Sequence, residues 1–236
     1  MKRVFLFPTE AEAEPFRRLA PQAAVRITGV GAAETAASVA RALREGCRWL
    51  VLAGIAGTYD DMLECGAVVA VGEERMSGLP ADYARSYHPS FTPRGLREVS
   101  SNTVSACGAA PQGAQIENME GAVFMAVCAD AGVRFCEVRA VSNMVGAPRE
   151  EWQAGTAAEN LATVLEKTFI KRSIMNKTKI ILWCALAVIV IAVAALLLTR
   201  WENAVSNIVT WVVIVGVSFL AGWLIGRFAG KKQSKA

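Results

Sequence analysis

Apolar and polar positions fall into two different rhythms along the chain. In the first 170 residues, short apolar runs at 4–7, 24–28, 49–53, 67–71 and 135–141 have the length of buried strands. Between them lie helical patterns at 10–19, 32–44, 121–131 and 157–169, the first beginning beside Thr9, which has the right side chain for an N-cap. This alternation predicts an α/β layered domain. In such sheets ligands gather beyond the carboxyl ends of the strands, where residues 9–12, 29–31, 54–57 and 142–143 are expected to fall.

After residue 179 the rhythm disappears. Every residue from 180 to 198 is apolar, enough helix to cover roughly 30 Å, the thickness of a bilayer's hydrocarbon core. A second run from 208 to 226 is interrupted only by Thr210 and Ser218 among its non-glycine positions. Core helices seldom run so long without a polar face, so a two-helix transmembrane hairpin is predicted.

Charge divides the chain at the same place. The overall formal charge is +4, but residues 171–236 hold nine Lys or Arg against one acid, Glu202, leaving 16 basic and 20 acidic residues in 1–170. The positive excess therefore flanks the apolar runs and gives no sign of nucleic-acid binding. Basic residues precede the first run and follow the second, while the connection "TRWENAVSN" carries only Arg200. By the positive-inside rule both ends of the hairpin and the preceding domain face the cytoplasm, placing the chain at the inner membrane of a bacterium. The expected organisation is a globular domain over 1–170, a basic linker over 171–179, and a membrane hairpin with a basic tail over 180–236.

Six cysteines, at 47, 65, 107, 128, 136 and 184, show no CxxC spacing, and His88 is the only histidine. The common Cys/His zinc sites are excluded, and reduced thiols are expected. No catalytic Ser/His pair, no metal-ligand cluster and no GxxxxGK[ST] phosphate loop occurs, which removes several common enzyme classes. Carboxylates remain, notably Glu10, Glu12, Glu14 and Glu120, together with Arg139 and Asn143. A glycosidic bond is a target that carboxylates serve, one activating water while another holds sugar hydroxyls.

The pieces "FPTEAEAEPF", "TGVGAAETAAS", "LAGIAGTYDDMLECGAVVAV", "NMEGAVFMAVCADAGVRFCEVRAVSN" and "APREEW" occur in the order seen in the nucleoside phosphorylase and nucleosidase family. Within it they look most like the futalosine hydrolases of the alternative menaquinone pathway. The resemblance spans residues 1–170 and none of the tail. It implies a three-layer α/β/α domain with a mixed central sheet, a purine nucleoside as substrate, water as nucleophile, no metal or organic cofactor, and a homo-oligomer.

Position by position, the resemblance implies Glu12 as the acid/base that activates water and Arg139 as the basic residue beside it. It also implies Met119 and Glu120 as the pair at the ribose, and Asn143 as the base reader. Gly31, Gly54 and Asn102, the last in "SNTVS", match segments lining the substrate. Adenosine-type nucleosidases carry Asp at the base-reading position; an Asn amide can donate to O6 or N7 of hypoxanthine, which a carboxylate cannot. Two other readings stand beside this one. The first is a methylthioadenosine/S-adenosylhomocysteine nucleosidase or a purine nucleoside phosphorylase. The second is a membrane-anchored interaction protein with a degenerate hydrolase domain, whose Gly222, Gly226 and Gly230 form a small-xxx-small face.

Overall fold

The computed structural model describes residues 3–199 and 206–230, and the chain divides into two compact units, Met1–Arg172 and Ser173–Ala236. In the first unit the elements follow as β1 (Arg3–Phe7), α1 (Glu10–Leu19), β2 (Ala24–Ile27), α2 (Ala32–Arg44), β3 (Trp49–Thr58), β4 (Val68–Met76), β5 (Ser86–Tyr87), β6 (Arg97–Thr103), β7 (Ile116–Asn118), α3 (Gly121–Asp130), β8 (Arg134–Met144) and α4 (Ala154–Leu165). A wider π turn, Glu166–Lys171, continues α4.

All eight strands join one mixed sheet. β2, β1, β3 and β8 run parallel to their neighbours, whereas β8 meets β4 antiparallel, and β4, β6 and β7 are parallel among themselves. The last two residues of β3, Gly57 and Thr58, also pair antiparallel with β7. Strands β3, β8, β4, β6 and β7 thus form a closed cycle, with β1 and β2 extending it on one side.

The period-2 alternation of β1 divides the apolar core in two. Val4 and Leu6 pack with Val39, Ala42, Phe124 and Met125 from α2 and α3, while Phe5 and Phe7 pack with Phe16, Leu161 and Leu165 from α1 and α4. The sheet is therefore covered by α2 and α3 on one face and by α1 and α4 on the other. Burying aromatic rings such as Phe5, Phe16 and Phe124 stabilises each interface by about 1.5–3 kcal/mol per side chain.

Helix boundaries agree with expectation for α1, whose N-cap Thr9 accepts the amide of Glu12, and for α2. The strands correct the sequence reading. β3, β4 and β8 run on to Thr58, Met76 and Met144, so residues 54–57 and 142–143 lie within strands rather than beyond their ends. The stretch between β4 and α3, read as irregular, supplies β5, β6 and β7.

The second unit contains α5 (Arg172–Thr199) and α6 (Ser206–Gly230). Among the described residues no helix is long and apolar enough to cross a membrane. Side chains are described for 180–195 and 211–223, shorter stretches than the roughly 20 residues a span needs. The remainder of the expected hairpin, and most of the linker 171–179, falls outside the described side chains. Within α5, the successive residues Ile180, Ile181, Leu182 and Trp183 are 62–70% exposed. Because consecutive helical residues point about 100° apart, these four apolar side chains cover the whole circumference.

Candidate active site

Glu12 sits at the third position of α1, where the Thr-x-x-Glu pattern would ordinarily fold its carboxylate back to cap the helix. Here the carboxylate turns into the sheet instead. Oε1 accepts the backbone N–H of Ile55 at 2.9 Å, and Oε2 accepts the Thr9 hydroxyl at 2.6 Å. Glu12 is only 7% exposed, so a carboxylate is held at a fixed place against the middle of β3.

Gly54 makes that approach possible. A Cβ there would stand 2.7 Å from Arg139 Nη1, 3.0 Å from Glu12 Oε1 and 3.1 Å from the Pro8 ring. The missing side chain thus leaves room for Glu12 and Arg139 on the same spot of β3, across from which Arg139 is the registered partner on β8.

Arg139 is fully buried and held on every edge. Its Nε donates to Glu137 Oε1 at 2.7 Å, Nη2 donates to Asn118 Oδ1 at 2.9 Å and pairs with Glu120 Oε2 at 3.2 Å, and Nη1 donates to the carbonyl of Ile55 at 3.4 Å. Burial alone would pull the guanidinium down, but Glu137 and Glu120 hold it above its ordinary value, so it is a permanent cation.

Glu120 precedes α3 and is buried. Its Oε2 faces Arg139 and the amide of Met119, at 3.4 Å, and its Oε1 accepts the amide of Gly31 at 3.0 Å. Gly31 caps α2 at φ +89°, a backbone state that side chains disfavour, and this aims its N–H at Glu120. Asn118 organises the turn: its Oδ1 accepts the amides of Glu120 and Gly121, while Thr103 Oγ1 accepts that of Ala122. The free N–H groups at the start of α3 are satisfied by side chains of β6 and β7.

Asn143 lies farther along β8, opposite Gly57, and is 4% exposed. Its Oδ1 accepts the Ser142 hydroxyl at 2.7 Å, and its Nδ2 donates to the Met144 carbonyl at 2.9 Å, leaving one N–H to spare. A Cβ on Gly57 would meet both Asn143 Nδ2 and the side chain of Glu117. Glu117 in turn accepts the Tyr59 hydroxyl at 2.6 Å and the amides of Gly108 and Ala109, tying down the loop after β6. Burial first, then Glu117, pushes the Tyr59 phenol up, so it stays a donor.

The structure brings Glu12, Gly54, Arg139, Glu120 and Gly31 into one chain of contacts, with Met119 adjoining it and Asn143 along the same strand. Asn102 is not part of that chain: its side chain donates to the Pro111 carbonyl at 2.7 Å. The sequence reading missed Asn118, Thr103, Glu117 and two fully buried acids, Glu74 and Glu137. For Glu137 the available signal was an acid two positions before Arg139, on the same face of an apolar strand.

Residues 109–170 match the sequence profile of the phosphorylase superfamily. Among curated proteins none matches the chain. Solved structures do match in fold. Native futalosine hydrolase of Helicobacter pylori strain 26695 is 14% identical, with a TM-score of 0.61, 71% of this chain and 97% of that one being covered. The 5′-methylthioadenosine/S-adenosylhomocysteine nucleosidase of Helicobacter pylori, solved with butyl-thio-DADMe-Immucillin-A, is 15% identical at a TM-score of 0.63, with coverages of 71% and 97%. The corresponding nucleosidase of Colwellia psychrerythraea 34H, solved with adenine, is 17% identical at a TM-score of 0.59, with coverages of 70% and 93%. The first unit therefore has the α/β nucleoside phosphorylase-like fold with a mixed sheet, and its C-terminal third carries the superfamily's sequence signature.

Proposed function

We propose that the first unit is a nucleosidase that hydrolyses the N-glycosidic bond of a 6-oxopurine nucleoside of the futalosine type, releasing hypoxanthine. The observation that carries this reading is the buried run from Glu12 through Arg139 to Glu120. Glu12 and the Arg139 guanidinium both approach the place where a Cβ on Gly54 would stand, and Arg139 pairs in turn with Glu120, each carboxylate having lone pairs left over.

In this reading Glu12 takes a proton from water, its oxygens being oriented by Ile55 N–H and the Thr9 hydroxyl. Glu120, fixed by Gly31 and Arg139, accepts hydrogen bonds from ribose hydroxyls, with Met119 against the sugar. Arg139 supplies positive charge beside the attacking water as it loses its proton. The spare N–H of Asn143 donates to O6 or N7 of the base. The Asn amide favours hypoxanthine over adenine, which separates this reading from a methylthioadenosine/S-adenosylhomocysteine nucleosidase.

For the second unit we infer a membrane anchor. What supports it is the ring of exposed apolar side chains on α5, and the comparable exposure of Trp211, Val212, Val213 and Ile214 on α6, which have no polar face to turn to water. Alkaline extraction of membranes from cells making the full chain is expected to leave it in the pellet; release into the supernatant would refute the anchor.

The catalytic reading is tested by incubating the full chain with futalosine, inosine and methylthioadenosine, each with and without phosphate, and chromatographing the products. Phosphate-independent release of hypoxanthine from futalosine is expected. Adenine from methylthioadenosine, or a requirement for phosphate, would reassign the reaction, and no base from any of the three would remove it.

A further inference from the structure

Behind Arg139 lie two buried acids, Glu74 and Glu137, that the proposed reaction does not use. Glu74 on β4 and Glu137 on β8 have no exposed surface, and Glu120 is 3% exposed. Among the described residues, Arg139 is the cation paired with Glu120 and Glu137, and Glu74 has no ion pair. Three ionised carboxylates and one guanidinium would leave two uncompensated charges in the interior, a situation that proteins relieve by keeping a proton.

The geometry indicates where that proton resides. Glu137 uses Oε1 to accept from Arg139, while its Oε2 is buried with no hydrogen-bond partner. Around Gly121, a Cβ would run into Glu74 Oε1 and would stand 2.7 Å from Glu137 Oε2, so the two carboxyls share one small space at the start of α3. The groups facing Glu74 from the other elements are hydroxyls and an amide: Thr103 donates to its Oε2 at 2.8 Å, Asn118 Nδ2 donates to its Oε1, and Ser101 adjoins from β6. The charged groups around the pair are Arg139, on the strand of Glu137, and Glu120, ahead of α3.

We propose that Glu74 and Glu137 hold one proton between them, and that Glu137, anchored in this way, is the positioning residue for the Arg139 guanidinium. The positioning half rests on the nucleosidase reading above; the proton-sharing half does not. A proton on Glu74 supplies the donor that Glu137 Oε2 lacks, and leaves Glu137 as the carboxylate that fixes Arg139 Nε. Arg139 is then oriented by a fixed anion on the side away from the substrate, with Nη2 set against Glu120. Burial, and then the neighbouring Glu137, pushes Glu74 up to about 8, and burial raises Glu137 against the pull of Arg139. These directions agree with one retained proton.

The sign of the stability effect follows. Between about pH 4.5 and 8 the native state keeps a proton that the unfolded chain has released, so this group makes stability fall as pH rises through that window. Above it the slope ends.

The test uses the full chain and three proteins: wild type, Glu74→Gln and Glu137→Gln. Infrared difference spectra at pH 7 are expected to show one protonated carboxylic acid in the wild type and none in Glu74→Gln, since Gln at 74 removes the acid and leaves Glu137 paired with Arg139. Urea unfolding at pH 5 to 9 is expected to show a stability decline in the wild type that Glu74→Gln lacks. In turnover, Glu137→Gln is expected to lower kcat about tenfold with KM little changed, the scale of one weakened charge-assisted hydrogen bond. Glu74→Gln is expected to move any alkaline limb of the rate away from pH 8.

A wild type with no protonated acid at pH 7, or equal pH slopes of stability in wild type and Glu74→Gln, would overturn the shared proton. A Glu137→Gln enzyme with unchanged kcat would overturn the positioning role. Should the wild type hydrolyse no nucleoside, the infrared and unfolding results still decide the pair, so failure of the proposed reaction is seen separately.

Discussion

Oε1 of Glu12 accepts the backbone N–H of Ile55 at 2.9 Å, a link from the first turn of α1 to the middle of β3. The bond spends a carboxylate oxygen on the sheet, and with the Thr9 hydroxyl it leaves the acid one orientation. A Gln at this position keeps the shape: its carbonyl can accept from Ile55, and its amide can donate to Thr9 Oγ1. Glu12→Gln is therefore expected to fold with an unchanged circular dichroism spectrum and an unfolding midpoint near that of wild type. Turnover is expected to drop by about 10²–10⁴-fold, the usual contribution of a general base. An active variant would remove Glu12 from proton transfer.

Gly54 gives a second, sterically based prediction. An Ala there places a methyl group 2.7 Å from Arg139 Nη1 and 3.0 Å from Glu12 Oε1, with the Pro8 ring on the third side. Neither charged group is free to retreat, because Arg139 is fully buried and Glu12 is tied at both oxygens. Overpacking of this kind costs about 1–3 kcal/mol. Gly54→Ala is expected to lower the urea midpoint modestly and kcat/KM far more, since the displaced groups are those proposed to act on the substrate. Equal, small losses in both measurements would mean that the site tolerates the shift.

The helices and the apolar halves of the strands were legible because their burial is apolar: α1 and α2 stand where their patterns placed them. The strand continuations were not, and the reason is the site itself. β6 and β7 bury Ser101, Asn102, Thr103, Glu117 and Asn118, polar residues that hydropathy assigns to the surface. They lie inside because each has a partner there: Ser101, Thr103 and Asn118 bond among themselves, to Glu74 and to the start of α3, while Asn102 and Glu117 hold the loop between β6 and β7 and the Tyr59 hydroxyl. Likewise residues 54–57 read as lying beyond the end of a strand, yet Gly54 and Gly57 are glycines within β3 because neighbouring side chains crowd the place of a Cβ. Glu12, Glu120 and Arg139 were picked out by ordered motifs; Glu74 and Glu137 have no motif, and their burial depends on partners that are distant in sequence.

The cysteines offer a check on the fold that needs no substrate. Cys128 and Cys136 are fully buried in opposite halves of the core, and burial raises both thiols, Cys128 to about 12. Cys65 and Cys107 in the first unit are exposed. Mass spectrometry after brief alkylation at pH 8 is expected to find Cys65 and Cys107 modified and Cys128 and Cys136 untouched until the chain is unfolded in urea. Early modification of Cys136 would contradict the packing of β8 between the two helical layers.

Asn143 carries the prediction about substrate choice, and the structure adds a cost to it. Its Nδ2 donates to the Met144 carbonyl while its Oδ1 accepts from Ser142. An Asp would turn an oxygen toward the Met144 carbonyl, where nothing can be donated, unless the acid holds a proton there. Asn143→Asp is thus expected to lose about 1–3 kcal/mol of stability, the scale of a buried acceptor left without a donor. It is also expected to shift the ratio of kcat/KM from 6-oxopurine toward 6-aminopurine nucleosides, because the oxygen that takes the place of Nδ2 accepts from an exocyclic amine and repels O6. Competition between inosine and adenosine in one reaction, with hypoxanthine and adenine separated by chromatography, reads that ratio directly and is insensitive to the amount of folded enzyme. A ratio unmoved by the substitution would place base recognition elsewhere, with Glu117, which shares Gly57 with Asn143, the next residue to change.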